Sequence, residues 1–379
     1  MDLISELAEG AQDISIELLV WSSLLSLLLL LPVLVLSFYQ LRGQPVPEWL
    51  NTSRPIIRKM SWWVILVWPV FVFLGWLVAG RPGKIVFFMG PINLFVSGIP
   101  VLWVYNAAQW KLKAGSSVRK WRIFGFSLTV TPIVIIFVET LVLIVLGMVG
   151  AFWLTYRMAV DPVINQEMID IANQISLAGN DLDTVLLLLE PYLLSPSVIF
   201  WAMAIFGGIM PIIEEILKPI ALWSLAGRNI TPQEGFVGGI LCGAGFALME
   251  NILYATTAII AEDWLFLVIA RVGTGVLHML ASGLVGWGLA RLWRDGKWFF
   301  SALTTLASFL LHSVWNVLAL FLGVAPLFVF GKETSLWQTT LIYSPLLLLL
   351  VLSALGLYFV HKYLIGQQSK ENQINWEKN

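Results

Sequence analysis

The stretch from Ile212 to Trp223 reads IIEEILKPIALW. Glu214, Glu215 and Lys218 interrupt a run that is apolar in both directions, from about residue 198 to 226. In a soluble protein such a segment would be an ordinary amphipathic helix. The rest of the chain excludes that reading: of 379 residues 59% are hydrophobic and 12% charged, and the mean hydropathy is +0.85. Most of this length must lie in lipid, and the fold expected is an all-α, polytopic membrane helix bundle. A net charge of −1 and the lack of a Lys/Arg-rich block argue against nucleic acid as a partner. The single cysteine, Cys242, excludes an internal disulfide and any zinc site built from cysteines.

Apolar runs of roughly 20 residues, enough to cross about 30 Å of hydrocarbon, occur near 17–39, 62–80, 85–106, 126–155, 198–226, 233–261, 264–290, 298–325 and 337–361. About nine transmembrane helices are therefore expected. The N-terminal residues carry acids and no basic n-region, so the first run reads as a retained span. With the N-terminus outside and the C-terminus cytoplasmic, sixteen Lys/Arg fall on inner loops and four on outer ones, which sets the orientation. Residues 158–196 form an outer acidic excursion without Lys or Arg. Its stretches VINQEMIDIANQI and DTVLLLLEPYLL space their apolar residues as two short amphipathic helices. The chain divides into an N-terminal three-helix membrane segment (1–123), a core containing the excursion (124–330), and a final span with a cytoplasmic tail (331–379). No internal repeat is visible.

Ionisable side chains inside a membrane are costly, about 2.5–3.5 kcal/mol each on insertion scales, and face a bundle interior or a wet cavity. Here they cluster in four consecutive spans: Glu214, Glu215 and Lys218; Glu250 and Asn251; His278; His312 and Asn316. Glu214 and Lys218, His278 and Ser282, and His312 and Asn316 are each four apart, so each pair shares one helix face. Counting from the span ends puts all four stripes within a few turns of one level. Pro219 removes the amide that would bond the Glu215 carbonyl and predicts a break. Gly235, Gly239 and Gly243 predict a close helix approach just before Glu250. Thr231, Pro232 and Glu234 spell a capping box at the start of that helix. Glu139 and Arg271 are expected to pair with each other. His361 is expected at the inner interface.

The motifs E-E-x-x-K (Glu214, Glu215, Lys218), F-A-x-x-E-N (Phe246, Ala247, Glu250, Asn251), a helix with His278, and H-x-x-W-N (His312, Trp315, Asn316) resemble those of the PrsW family of intramembrane proteases, relatives of the type II CAAX prenyl proteases. The resemblance covers roughly 198–320. The CAAX relatives carry an arginine one position later in the first motif and a histidine at the place of Glu250, which sets this chain on the PrsW branch. The resemblance implies cleavage of peptide bonds in or near a membrane. It also implies membrane-anchored substrates of the anti-sigma-factor type and a bacterial plasma membrane as the location.

Amide hydrolysis needs an activated water, donors for the oxyanion and a proton for the leaving amine. Two arrangements of the same side chains supply these. In one, His278, His312 and a carboxylate, Glu250 or Glu214, hold Zn²⁺ while another glutamate acts as base. In the other, Glu214 or Glu215 activates water without a metal, moderated by Lys218, and Asn316 donates to the oxyanion. Two rival classes fit less well. A proton-coupled transporter or channel could use the same acids and histidines as a relay but does not require the E-E-x-x-K spacing, and an inactive scaffold would not need every motif position filled.

Overall fold

The computed structural model describes residues 63–79, 88–179, 181–255, 261–329 and 336–377, with part of 24–45. Every described element is helical. In chain order they are α1 (Trp68–Val78, entered by a tight turn, Ile65–Val67), α2 (Met89–Ala108), α3 (Ser117–Val160), α4 (Pro162–Ala178), α5 (Leu182–Leu193) and α6 (Pro196–Ala204), followed by a wide π turn (Ile205–Ile209). Beyond it come α7 (Met210–Leu217), α8 (Ile220–Trp223), α9 (Pro232–Ala255), α10 (Ala261–Asp295), α11 (Trp298–Val329) and α12 (Leu336–Glu377). Seven stretches among the described residues are long and apolar enough to cross a membrane: α2, α3, α6 through α8, α9, α10, and the parts Trp298–Leu322 of α11 and Tyr343–Glu371 of α12. They match the last seven of the nine expected spans. The first two expected spans extend beyond the described residues, and what is described there is shorter, Leu30–Leu41 and Ile65–Val78.

Local chemistry sets the ends. Ser116 accepts from the Arg119 amide to start α3. Asp161 accepts from Val163 and Ile164 to start α4, Asp181 starts α5, and Ser195 starts α6. The expected capping box forms at α9: the Thr231 amide donates to Glu234 at 2.8 Å and the Glu234 amide to Thr231 Oγ1 at 3.2 Å. The acidic excursion folds into the two expected amphipathic helices, α4 and α5. The Tyr192 hydroxyl joins them by donating to Glu167 at 2.7 Å, a bond that also raises the phenol's pKa.

α9 is the central helix, buried almost all round, whereas α3 buries only the segment from Ile123 to Ile135. α9 meets α10 backbone to backbone. A Cβ at Gly239 would lie 2.1 Å from the Ser282 carbonyl oxygen, and one at Gly243 would lie 2.3 Å from that of His278. Glycine is required at both, and the close approach read from the sequence is found. The break at Pro219 is also found. α7 closes with the Lys218 amide on the Glu214 carbonyl, 2.7 Å, and α8 restarts with Leu222 on Pro219. The chain thus turns immediately after its charged triplet. Cys242 is buried in this core as a free thiol, in keeping with a packing role.

Candidate active site

α7 and its cap bring Glu214, Glu215 and Lys218 to the centre; α9 brings Glu250 and Asn251, α10 brings Arg271 and His278, and α11 brings Ser308, His312 and Asn316. The four stripes expected from helical spacing therefore face one another. Lys218, fully buried, joins them. Its ammonium lies 2.8 Å from Glu214 Oε2, 2.8 Å from Glu215 Oε1 and 2.8 Å from His278 Nδ1, and 4.5 Å from the centre of the Phe246 ring. An ammonium only donates, so His278 Nδ1 accepts. The neutral ring then carries its proton on Nε2, which points at Glu250 Oε2, 2.9 Å away.

Glu215 is saturated. Oε1 accepts from Lys218 and from His312 Nδ1 at 2.9 Å, and Oε2 accepts from Ser308 at 2.8 Å. Its work is to orient. It fixes the His312 ring so that Nε2 is left as the free acceptor, 3.8 Å from Glu214 Oε2. Glu214 differs: its Oε2 is buried without a hydrogen bond, because the nearby ammonium lies off the direction a bond requires. The two imidazoles stand edge to face, with centroids 4.9 Å apart. One ligand atom each from Glu214, His278 and His312 lie within 4.8 Å of one another, all three residues buried. Two imidazoles and a carboxylate with an unspent buried oxygen are a donor set that fits a divalent transition metal.

Glu250, expected as the third ligand, is engaged elsewhere. It forms an ion pair with the Arg271 guanidinium and accepts from His278. Arg271 is held in turn: its Nε donates to Asn251 Oδ1 at 2.8 Å, the Asn251 amide reaches the Arg271 carbonyl at 3.4 Å, and the guanidinium lies 4.6 Å from the centre of the Tyr254 ring. The expected Glu139–Arg271 pair does not form, since Glu250 sits nearer in the fold and takes the arginine. Asn316 Nδ2 donates to the Phe206 carbonyl at 3.0 Å, tying α11 to the wide turn ahead of α7. Such π turns free a carbonyl from the helical ladder, and here the free carbonyl has a side-chain partner.

All of this opens into a cavity of about 860 Å³. Its charged wall is Glu139, Glu214, Glu250, Arg271, His278 and His312, with Asn316 beside them, and the remaining wall is apolar, including Phe206, Leu253, Trp315 and Leu346. A space of this size and lining suits an apolar ligand with a polar reacting centre. Ser308 was not singled out by the sequence, and Arg271 and Glu139 were expected only as a structural pair. Ser308 could have been found one helical turn before His312; Arg271 and Glu139 had no local signal beyond being charged in apolar runs.

The model of a family described as PrsW family intramembrane metalloprotease matches residues 172–352. No curated protein and no solved structure matches the chain significantly. The matched segment contains every residue of the hydrogen-bonded cluster, and over that segment the chain is similar to the PrsW family of intramembrane metalloproteases.

Proposed function

We propose that the chain is an intramembrane endopeptidase that cuts membrane-anchored proteins, and that Glu214, His278 and His312 hold a zinc ion. The observation that carries this reading is the convergence of these three buried ligand atoms within 4.8 Å on the wall of the 860 Å³ cavity. Zinc bound there would polarise the scissile carbonyl and lower the pKa of a bound water to about 7.

The protein's own groups supply the rest. Glu250 accepts the proton of the attacking water and returns it to the leaving amine. Arg271, held by Asn251, and the second N–H of Asn316 donate to the developing oxyanion. Glu215 and Ser308 hold His312 in register, and Lys218 holds both carboxylates of α7 against His278. The largely apolar wall suits a lipid-embedded segment as substrate, of the kind that anchors an anti-sigma factor. On this reading the protein sits in a bacterial plasma membrane with its N-terminus outside, and residues 124–330 are its catalytic core. The transporter reading gains nothing from the family match.

One observation favours a second reading, in which the enzyme works without metal. A histidine that ligates a metal ordinarily donates its other N–H to an acceptor, whereas the neighbour at His278 Nδ1 is a donor, Lys218. In this version Glu214 itself activates water and His278 donates from Nε2. Cleavage of a single-span reporter by the reconstituted protein, before and after chelation and with zinc restored, separates the two. Loss and recovery support zinc, and full activity in a metal-free sample supports Glu214 alone. Wild-type rates in His278→Ala and His312→Ala would remove both.

A further inference from the structure

On the side of α10 away from the catalytic cavity lies a second hollow of about 700 Å³. Val272 and Val276 form its floor, on the helix face opposite the one that presents Arg271 and His278. α2 and α12 form its sides. One end is aromatic and basic: Trp103, Trp110, Tyr358, Lys111, His361 and Lys362 line it. No acidic side chain is among the described lining residues, and neither Lys111 nor Lys362 has a carboxylate partner among the described residues.

This end is built rather than incidental. Lys111 holds a left-handed backbone, φ 63°, a conformation that costs a residue with a side chain about 1 kcal/mol or more. Gln368 on α12 clamps the turn that contains it, donating to the Lys111 carbonyl at 3.2 Å and accepting from the Lys113 amide at 2.8 Å. His361 is tied to the Ala108 carbonyl at 2.8 Å, and the Lys362 ammonium lies 5.2 Å from the centre of the Tyr358 ring. An apolar slot between helices, closed at one end by lysines and interfacial aromatics, matches the two halves of an anionic lipid: acyl chains along the slot, phosphate at the lysines. The loop charges place this end on the inner side, where the leaflet is the more anionic.

We infer that the groove between α2, α10 and α12 binds one anionic phospholipid, with Lys111 and Lys362 holding its phosphate. The inference is independent of the peptidase reading, since it uses none of the residues of the catalytic cavity.

The test reconstitutes the full chain in bilayer discs of equal phosphatidylcholine and phosphatidylglycerol, then counts the lipids retained by native mass spectrometry. Phosphatidylglycerol should be retained over phosphatidylcholine. The Lys111→Gln and Lys362→Gln variants should each weaken that preference about fivefold, and together about twenty-five-fold. Arginine at both positions should preserve it. Ala354→Trp, at an exposed position on the groove wall, should displace the retained lipid while leaving both lysines in place. Equal retention of the two lipids by the wild-type protein would overturn the inference. So would an unchanged preference in the double glutamine variant, or undiminished retention in Ala354→Trp.

Discussion

The Glu215 carboxylate and the His312 imidazole, both buried, meet at 2.9 Å although 97 residues apart in the chain. Glu214, one position earlier, leaves an oxygen without a hydrogen bond. Adjacent glutamates therefore differ in kind, one spent on structure and the other available for chemistry. Glu215→Gln puts an amide N–H where three donors converge, so both stability and cleavage should fall; each lost charge-assisted bond is worth about 1.5–3 kcal/mol. Glu214→Gln should lose cleavage at least as completely but lower the melting temperature in detergent by less than Glu215→Gln does, because it removes one ion-pair partner of Lys218 and not three converging bonds. Equal destabilisation of the two variants would count against the division of labour.

Metal content separates Glu214 from Glu250. Under the zinc reading, purified Glu214→Gln and His312→Ala should contain little bound metal by elemental analysis. Glu250→Gln should retain it and still cleave about 10²- to 10⁴-fold more slowly, the loss expected when a proton-transfer group is removed. A metal-depleted Glu250→Gln would move that residue into the ligand set, where the sequence pattern alone also allowed it.

Lys218 carries the compensation for two carboxylates at once. Removing one partner of a buried charge network leaves the others uncompensated, at a cost of about 3–5 kcal/mol. Lys218→Met should therefore lower the unfolding midpoint markedly and abolish activity. Arginine should not rescue it, because a planar guanidinium cannot direct separate donors at Glu214, Glu215 and His278 from the volume of an ammonium. Wild-type stability in Lys218→Met would show that the three contacts are dispensable.

Much of this was legible because helices translate spacing into direction. Residues four apart in α7, α10 and α11 had to share a face, and the cost of charge in lipid required those faces to turn inward. The capping box at Thr231 and Glu234, the break at Pro219 and the two amphipathic helices of the acidic excursion rest on local chemistry and were likewise readable. Pairings that depend on the angle between helices were not. Nothing in the sequence says that Arg271 faces Glu250 and not Glu139, or that Asn316 reaches back to Phe206, since both follow from how α9, α10 and α11 cross.

That crossing is set by glycine, which gives the last prediction. Gly243 faces the backbone of His278 itself, and a methyl there would stand 2.3 Å from its carbonyl oxygen and 2.6 Å from its carbonyl carbon. Backbone cannot rotate away as a side chain can, so Gly243→Ala must push α10 outward. The shift draws His278 from Lys218 and Glu250, both held at hydrogen-bond distance. Overpacking of this kind costs about 1–3 kcal/mol, and the displacement of a site residue adds a loss of cleavage out of proportion to the fraction unfolded. Gly147→Ala is the control, because a methyl there meets nothing within 4 Å. Unfolding midpoints and reporter cleavage measured on both variants check the idea. If Gly243→Ala cleaves as well as Gly147→Ala, the contact between α9 and α10 does not set the position of His278.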